Sequence, residues 1–336
     1  MTKALLIEKT GGPEVFKSVD INFRVPRSDE ALIRHTAIGI NYIDIEQRSG
    51  FYNLHENTSR RKLPAIVGCQ GVGVIKELGE GAVVDVQPGD RVCYATIPYG
   101  AYSEERVIKL KYLHKIPDFL SDIDVAACLY SGMVSFYLTC RAYLVMNDFT
   151  VMVHAVDTDM GDMLCQWIKA RAPGCRIIGT VGSMRKLELL KDIRCELLLN
   201  YCEDPEVLRE KVHKFTRGYG VNAVYDCIGK DTYLLSLNSL ARFGIYVLYE
   251  QRSGEIPPIS WKAFRARSLF FTHPSLFHYA RNHVDSVLAV AEVFHYMRIK
   301  KVVPNIALRC RGLDEIPEAH RQIEAGNVSG ASVVIF

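Results

Sequence analysis

Val151-Met152-Val153-His154-Ala155-Val156-Asp157-Thr158-Asp159-Met160-Gly161 is the stretch that decides the fold. Its apolar opening, Val151 to Ala155, reads as a buried strand, after which Met160, Met163, Leu164, Trp167 and Ile168 recur at helical spacing. The same rhythm continues downstream. Arg176 to Val181 reads as a second strand ahead of a helix over Lys186 to Lys191, and Glu196 to Asn200 as a third. Asp204-Pro205 then opens a helix, with proline at a favourable first-turn position. Val221 to Asp226 and Gly244 to Tyr249 supply two more strands. Strands alternating with helices imply a parallel sheet covered on both faces, an α/β doubly wound domain.

On either side the pattern differs. Residues 65–75 and Arg91 to Ala95 are short β-type runs, Pro88-Gly89-Asp90 marks a turn, and Asn41 to Arg48 reads as a short helix. After about residue 270 come a helix over Val284 to Met297 and a final strand over Ala331 to Ile335. This C-terminal segment is read as returning to the first, mostly β domain. The expected domains are therefore 1–124 with 271–336, and 125–270 between them.

Composition narrows the class. The chain has 336 residues, 49% hydrophobic and 24% charged, which is room for two domains with sizeable cores. The formal charge of +3 is too small and too interspersed to suggest nucleic acid. The clusters Arg60-Arg61-Lys62 and Lys109 to Lys115 read as solvated loops or strand edges. With no run of about 18 apolar residues, no membrane-spanning helix is expected. The N-terminus is too short in its apolar part for a signal peptide and reads as a strand. Ten scattered cysteines, none in a Cys-x-x-Cys pair, argue against a disulfide framework or a structural zinc lobe and suit a reducing cytoplasm.

Ligands of a doubly wound sheet sit beyond the carboxyl ends of its strands. The first such turn, Ala155 to Gly161, is normally glycine-rich so that backbone N–H groups can approach a pyrophosphate. Here only Gly161 fits, and a sealed turn holding no phosphate stays open as a reading beside a phosphate site. The second strand ends in Gly182-Ser183-Met184-Arg185-Lys186 with no acid nearby. An acid there would bind the ribose hydroxyl of NAD, whereas Ser183, Arg185 and Lys186 suit the 2′-phosphate of NADP. The alternative is a basic first turn on a solvated helix.

Further motifs follow in order. They are Ala37-Ile38-Gly39-Ile40-Asn41-Tyr42-Ile43-Asp44, Arg48-Ser49-Gly50-Phe51-Tyr52, Pro88 to Val92, Gly100-Ala101-Tyr102-Ser103, Gly179-Thr180-Val181-Gly182, Asn200-Tyr201, Val224-Tyr225-Asp226 and Pro274-Ser275-Leu276. Together they resemble the zinc-independent quinone oxidoreductases, the ζ-crystallin-like branch of the medium-chain dehydrogenases/reductases. The resemblance implies a GroES-like catalytic domain built from the two chain ends, a Rossmann domain between, and NADPH in the intervening cleft. It implies hydride transfer to a quinone or another conjugated carbonyl. It places Asn41 and Tyr52 near the nicotinamide and substrate, with Asp44 supporting that loop. Gly161, Gly182, Ser183, Lys186 and Tyr201 would serve the phosphates, and Ser131, Tyr249 and Phe271 the nicotinamide side. It also implies a homodimer through an edge strand of the Rossmann sheet, near Ile245 to Tyr249.

The sequence departs from that family at the cofactor turn and around the nicotinamide. Asp157 and Asp159 stand where glycines or small residues are usual, and either would serve as a cap for the helix that follows. Ser131 and Val134 replace a frequent Lys and Thr, Glu250 a glycine, and His273 and Gly326 two arginines. Zinc-dependent relatives carry Gly-His-Glu where this chain has Gly68-Cys69-Gln70; Cys69 alone is too few ligands for zinc and reads as a buried small hydrophobe. Two functions follow: a reductase whose activity the acidic turn lowers, or a relative that keeps the fold as a binding or interaction module.

Overall fold

The computed structural model describes residues 1–51, 63–82, 85–183, 185–186, 194–280 and 282–336. It divides into two compact units. One comprises Met1–Tyr130, Ala280–Arg298 and Val303–Phe336, the other Ser131–Tyr279 and Ile299–Val302.

The first unit is mostly β. Strand β1 (Thr2–Ile7) pairs antiparallel with β2 (Phe16–Ile21). A long strand β3 (Glu30–Ile40) runs into helix α1 (Tyr42–Ser49). Then come β4 (Ala65–Ile66), which pairs with β1, and β5 (Gln70–Leu78), β6 (Arg91–Ala95), β7 (Glu105–Lys109) and β8 (His114–Lys115). Ile33, Ile38, Ile75, Val92, Tyr94 and Tyr102 form its core, joined from the far end of the chain by Ile316 and Val334.

Helix α2 (Asp122–Tyr137) follows, extended by a π-helical turn over Leu138–Ala142. By length and composition alone this stretch is apolar enough to cross a membrane, but 83% of its apolar window is buried inside the protein, so its hydrophobicity serves packing.

The second unit holds β9 (Thr150–Val153), β10 (Arg176–Val181), β11 (Leu197–Asn200), β12 (Val221–Asp226), β13 (Leu240–Leu248) and β14 (Phe270–Thr272). They form one parallel sheet in the order β11-β10-β9-β12-β13-β14. Helix α3 (Asp159–Arg171) follows β9, α4 (Pro205–Phe215) follows β11, α5 (Tyr233–Ser239) follows β12, and α6 (Trp261–Arg267) follows β13. All four β9 residues are buried, because a central parallel strand is covered on both faces. The order reverses direction between β9 and β12, the switch point at which such sheets bind dinucleotides. One expectation is corrected here. The Ile245 to Tyr249 region is not the sheet edge: β13 lies between β12 and β14, and β14, with Phe270 57% exposed, is the outer strand.

Helix α7 (Leu276–Tyr279) closes this unit, and α8 (His283–Arg298) belongs to the first. Strands β15 (Ile306–Arg311) and β16 (Ala331–Ile335), with α9 (Ile316–Glu324) between them, complete the chain. They extend the first unit's large sheet, in which β16 lies against β3.

Candidate cofactor and catalytic site

The turn after β9 is built by sequence-local bonds. Ala155 takes a left-handed backbone at φ 52°, and Thr158 Oγ1 both donates to Ala155 O at 2.8 Å and accepts from Gly161 N at 3.2 Å. Thr158, rather than either aspartate, therefore caps α3: it alone has its hydroxyl directed at the first turn. Gly161 is required by packing, since a Cβ there would lie 2.1 Å from Ala155 O. Without that clearance, α3 could not start so close to the strand end.

Asp157 turns inward. Its side chain is 3% exposed, and Oδ2 receives the ammonium of Lys186 at 2.6 Å. The cation expected to serve a 2′-phosphate is thus held by the acid in the glycine-loop position. Around this pair the structure assembles the other expected residues. Ser183 Oγ accepts from Lys186 N at 3.2 Å, its own hydroxyl hydrogen has no acceptor among the described residues, and Arg185 is exposed beside it. The ring of Tyr201 leans over Gly182, where a Cβ would fall 2.6 Å from the phenol oxygen. Tyr201 and Tyr249 both pack on the small apolar cluster of Ala155, Cys227 and Ile228 at the strand ends. The buried Tyr249 hydroxyl finds no better partner than the weakly polar Cys227 thiol.

The other two acids near this turn differ. Glu250 is buried and pairs with Arg252 at 2.7 Å. Asp159 is half-buried, and burial together with neighbouring Asp162 pushes its pKa up to about 7; the Ser131 hydroxyl, 3.5 Å away, works in the other direction. Phe271 stands apart from the strand-end cluster, with its ring edge-on to Tyr246 and Phe264. His273 is exposed by surface area, and partial desolvation of its ring lowers its pKa.

In the first unit, Asn41 ends β3 and starts α1. Its Nδ2 donates to Gln70 Oε1 at 3.0 Å and Gly39 O at 3.3 Å, with Cys69 Sγ at 3.8 Å, and Gln70 is in turn fixed by Ala126 O at 2.7 Å. Asp44 is fully buried and accepts from Asn41 N at 3.0 Å, Cys69 N at 3.1 Å and Tyr102 Oη at 3.1 Å. Burial outweighs those donors and pushes its pKa up to about 6. The Tyr102 hydroxyl also meets His320 Nε2 at 2.9 Å, so the support of Asn41 reaches α9 near the C-terminus. Tyr52 lies outside the described residues.

Comparison with known proteins identifies the family. A family model described as alcohol dehydrogenase GroES-like domain matches residues 27–118, and one described as zinc-binding dehydrogenase matches residues 160–294. A quinone oxidoreductase of Salmonella typhimurium is 33% identical over 337 residues, covering 100% of both chains. The chain belongs to the quinone oxidoreductase family. A 2-haloacrylate reductase from a Burkholderia species is 35% identical over 286 residues, 84% of each chain. The Escherichia coli quinone oxidoreductase, solved in complex with NADPH, superposes with a TM-score of 0.91 at 30% identity, covering 99% of this chain and 100% of that one.

Although one matching family model is named for zinc, the described residues contain no group of three or more His, Cys, Asp or Glu side chains placed to hold a metal ion. Cys69 is fully buried, and burial beside Asp44 raises its thiol pKa well above the ordinary value, the opposite of a metal-ready thiolate. Sequence reasoning missed Arg252 as the partner of Glu250, although its spacing of two residues was visible. It also missed Tyr102 and His320 as supports of Asp44, for which no local signal exists. Of the acids near the turn after β9, Asp157 and Glu250 are each paired with a cation, Lys186 and Arg252.

Proposed function

We propose that this chain is an NADPH-dependent reductase of quinones and other conjugated carbonyls, acting without zinc. The carrying observation is the convergence of Ser183, Lys186 and Tyr201 at the ends of β10 and β11, with no acid at the end of β10, in a chain alike along its whole length to an NADPH-bound quinone oxidoreductase. The 2-haloacrylate reductase relative supports widening the acceptor class to activated carbon–carbon double bonds conjugated to a carbonyl.

These residues fit the adenosine end of the cofactor. Gly182 leaves room for the Tyr201 ring, Ser183 keeps a donor, and the Lys186 side chain is 28% exposed, so its ammonium can reach a phosphate. The unpartnered Tyr249 hydroxyl suits a second polar contact on the cofactor. Bound NADPH supplies a hydride, so that quinone and one further proton give hydroquinone and NADP. The protein's part is to align, exclude water and deliver that proton. Asn41 would orient the acceptor, its amide NH₂ being fixed by Gln70 and Gly39. Asp44 holds the Asn41 backbone, and Tyr52 or solvent delivers the proton. Ten free cysteines suit a cytoplasmic protein, and the exposed strand β14 suits assembly of a homodimer edge to edge.

The test is oxidation of NADPH and of NADH with a simple benzoquinone, with and without a metal chelator. NADPH oxidation equimolar with hydroquinone formation and indifferent to chelator is expected. Cofactor binding without turnover on any quinone or enone would return the chain to the non-catalytic binding reading.

A further inference from the structure

Lys186 and Asp157 lie 29 residues apart in sequence and come from different elements, yet their charged atoms are 2.6 Å apart. Asp157 belongs to the turn after β9, and Lys186 to the first turn after β10. The exposures are unequal: 3% for the Asp157 side chain and 28% for Lys186. The acid is therefore fixed in the protein, while the amine retains access to solvent. On the same turn Ser183 Oγ accepts from Lys186 N and Arg185 is exposed, and the Tyr201 ring from the end of β11 lies over neighbouring Gly182. Asp157 also bears on Tyr201, adding to the burial that raises its phenol pKa.

Resting on the reading that NADPH binds here, we propose that Asp157 is a specificity-determining residue that sets how strongly this chain prefers a 2′-phosphorylated cofactor. An ammonium already paired with a carboxylate presents little net charge to a second anion. A 2′-phosphate arriving on the open side of Lys186 also sees the Asp157 carboxylate one amine away, as a like charge at short range. NADH carries only a neutral 2′-hydroxyl at that position and meets no such repulsion. Asp157 thus narrows the margin between the two cofactors by acting on Lys186, in addition to any effect on the pyrophosphate.

The inference separates from its neighbours by experiment on the full chain. Adenosine 2′,5′-bisphosphate and 5′-AMP, which carry the adenosine end without the nicotinamide, are titrated calorimetrically at low salt. The proteins are the wild type, Asp157→Asn, Lys186→Met and the double variant, with Asp157→Ser used if the asparagine variant does not fold. Asp157→Asn should tighten the bisphosphate at least tenfold and change 5′-AMP less than twofold. Lys186→Met should weaken the bisphosphate in both backgrounds, and at least tenfold in the Asp157→Asn background, where the freed ammonium carries the affinity. If Asp157→Asn leaves bisphosphate affinity unchanged or lowers it, Asp157 merely braces or orients the lysine and the proposal is overturned. Binding of neither nucleotide to any variant would overturn the NADPH reading and this proposal with it.

Discussion

Breaking one ion pair from its two ends should give unequal results. Lys186→Met strands the Asp157 carboxylate, 3% exposed, with no other cation paired to it among the described residues. Removing one partner of a fully buried pair costs about 3–5 kcal/mol. Because the Lys186 side chain is 28% exposed, water reaches this pair and the lower end applies. The N-terminus of α3, two residues on, returns about 0.3–1 kcal/mol to a nearby negative charge. A net loss of about 2 kcal/mol follows. In contrast, Asp157→Asn leaves an ammonium that can turn into solvent, and the lost pair is then worth about 0–1 kcal/mol. At roughly 2–4 °C per kcal/mol for a unit of this size, Lys186→Met should lower Tm by about 4–8 °C and Asp157→Asn by less than about 4 °C. The double variant should resemble Asp157→Asn. Thermal and urea unfolding of the cofactor-free proteins would measure this. Equal losses, or a larger loss for Asp157→Asn, would refute the view that the acid is fixed and the lysine is the mobile partner.

Two further outcomes follow from the first unit and from the sheet edge. With its pKa raised to about 6, Asp44 favours the fold when protonated, so its contribution is full below about pH 4 and is lost as pH rises through about 6. The stability difference between the wild type and Asp44→Asn should therefore shift by roughly 3 kcal/mol across that window; a pH-independent difference in urea midpoints would contradict it. The proposed edge-to-edge dimer should dissociate to monomer in sedimentation velocity on Phe270→Glu, on the outer strand β14 where Phe270 is 57% exposed, with the fold intact; a monomeric wild type, or a dimer unchanged by the substitution, would contradict that interface.

What the sequence determined by itself was the set of elements and their class. Val151 to Val153, Arg176 to Val181 and Val221 to Asp226 are apolar runs that a doubly covered parallel sheet demands, and Asp204-Pro205 marks a helix start through bonds that close within three residues. Such signals are local, so they survive in one dimension. Ser183 and Lys186 could be named as candidates because strand ends in a βαβ unit fix which residues meet, whereas Tyr201 came from the family resemblance. Tertiary structure alone decided the neighbours. That β14 rather than β13 forms the edge depends on pairing of Ile245 with Phe270, which no periodicity encodes. Asp157 and Asp159 read alike in sequence, two acids in one turn. In the fold one is buried against Lys186 and the other is left half-exposed beside Asp162, because the left-handed step at Ala155 and the Thr158 cap aim them differently. The charge of a residue is written in the sequence, but whether that charge is free to meet a ligand depends on what packs against it.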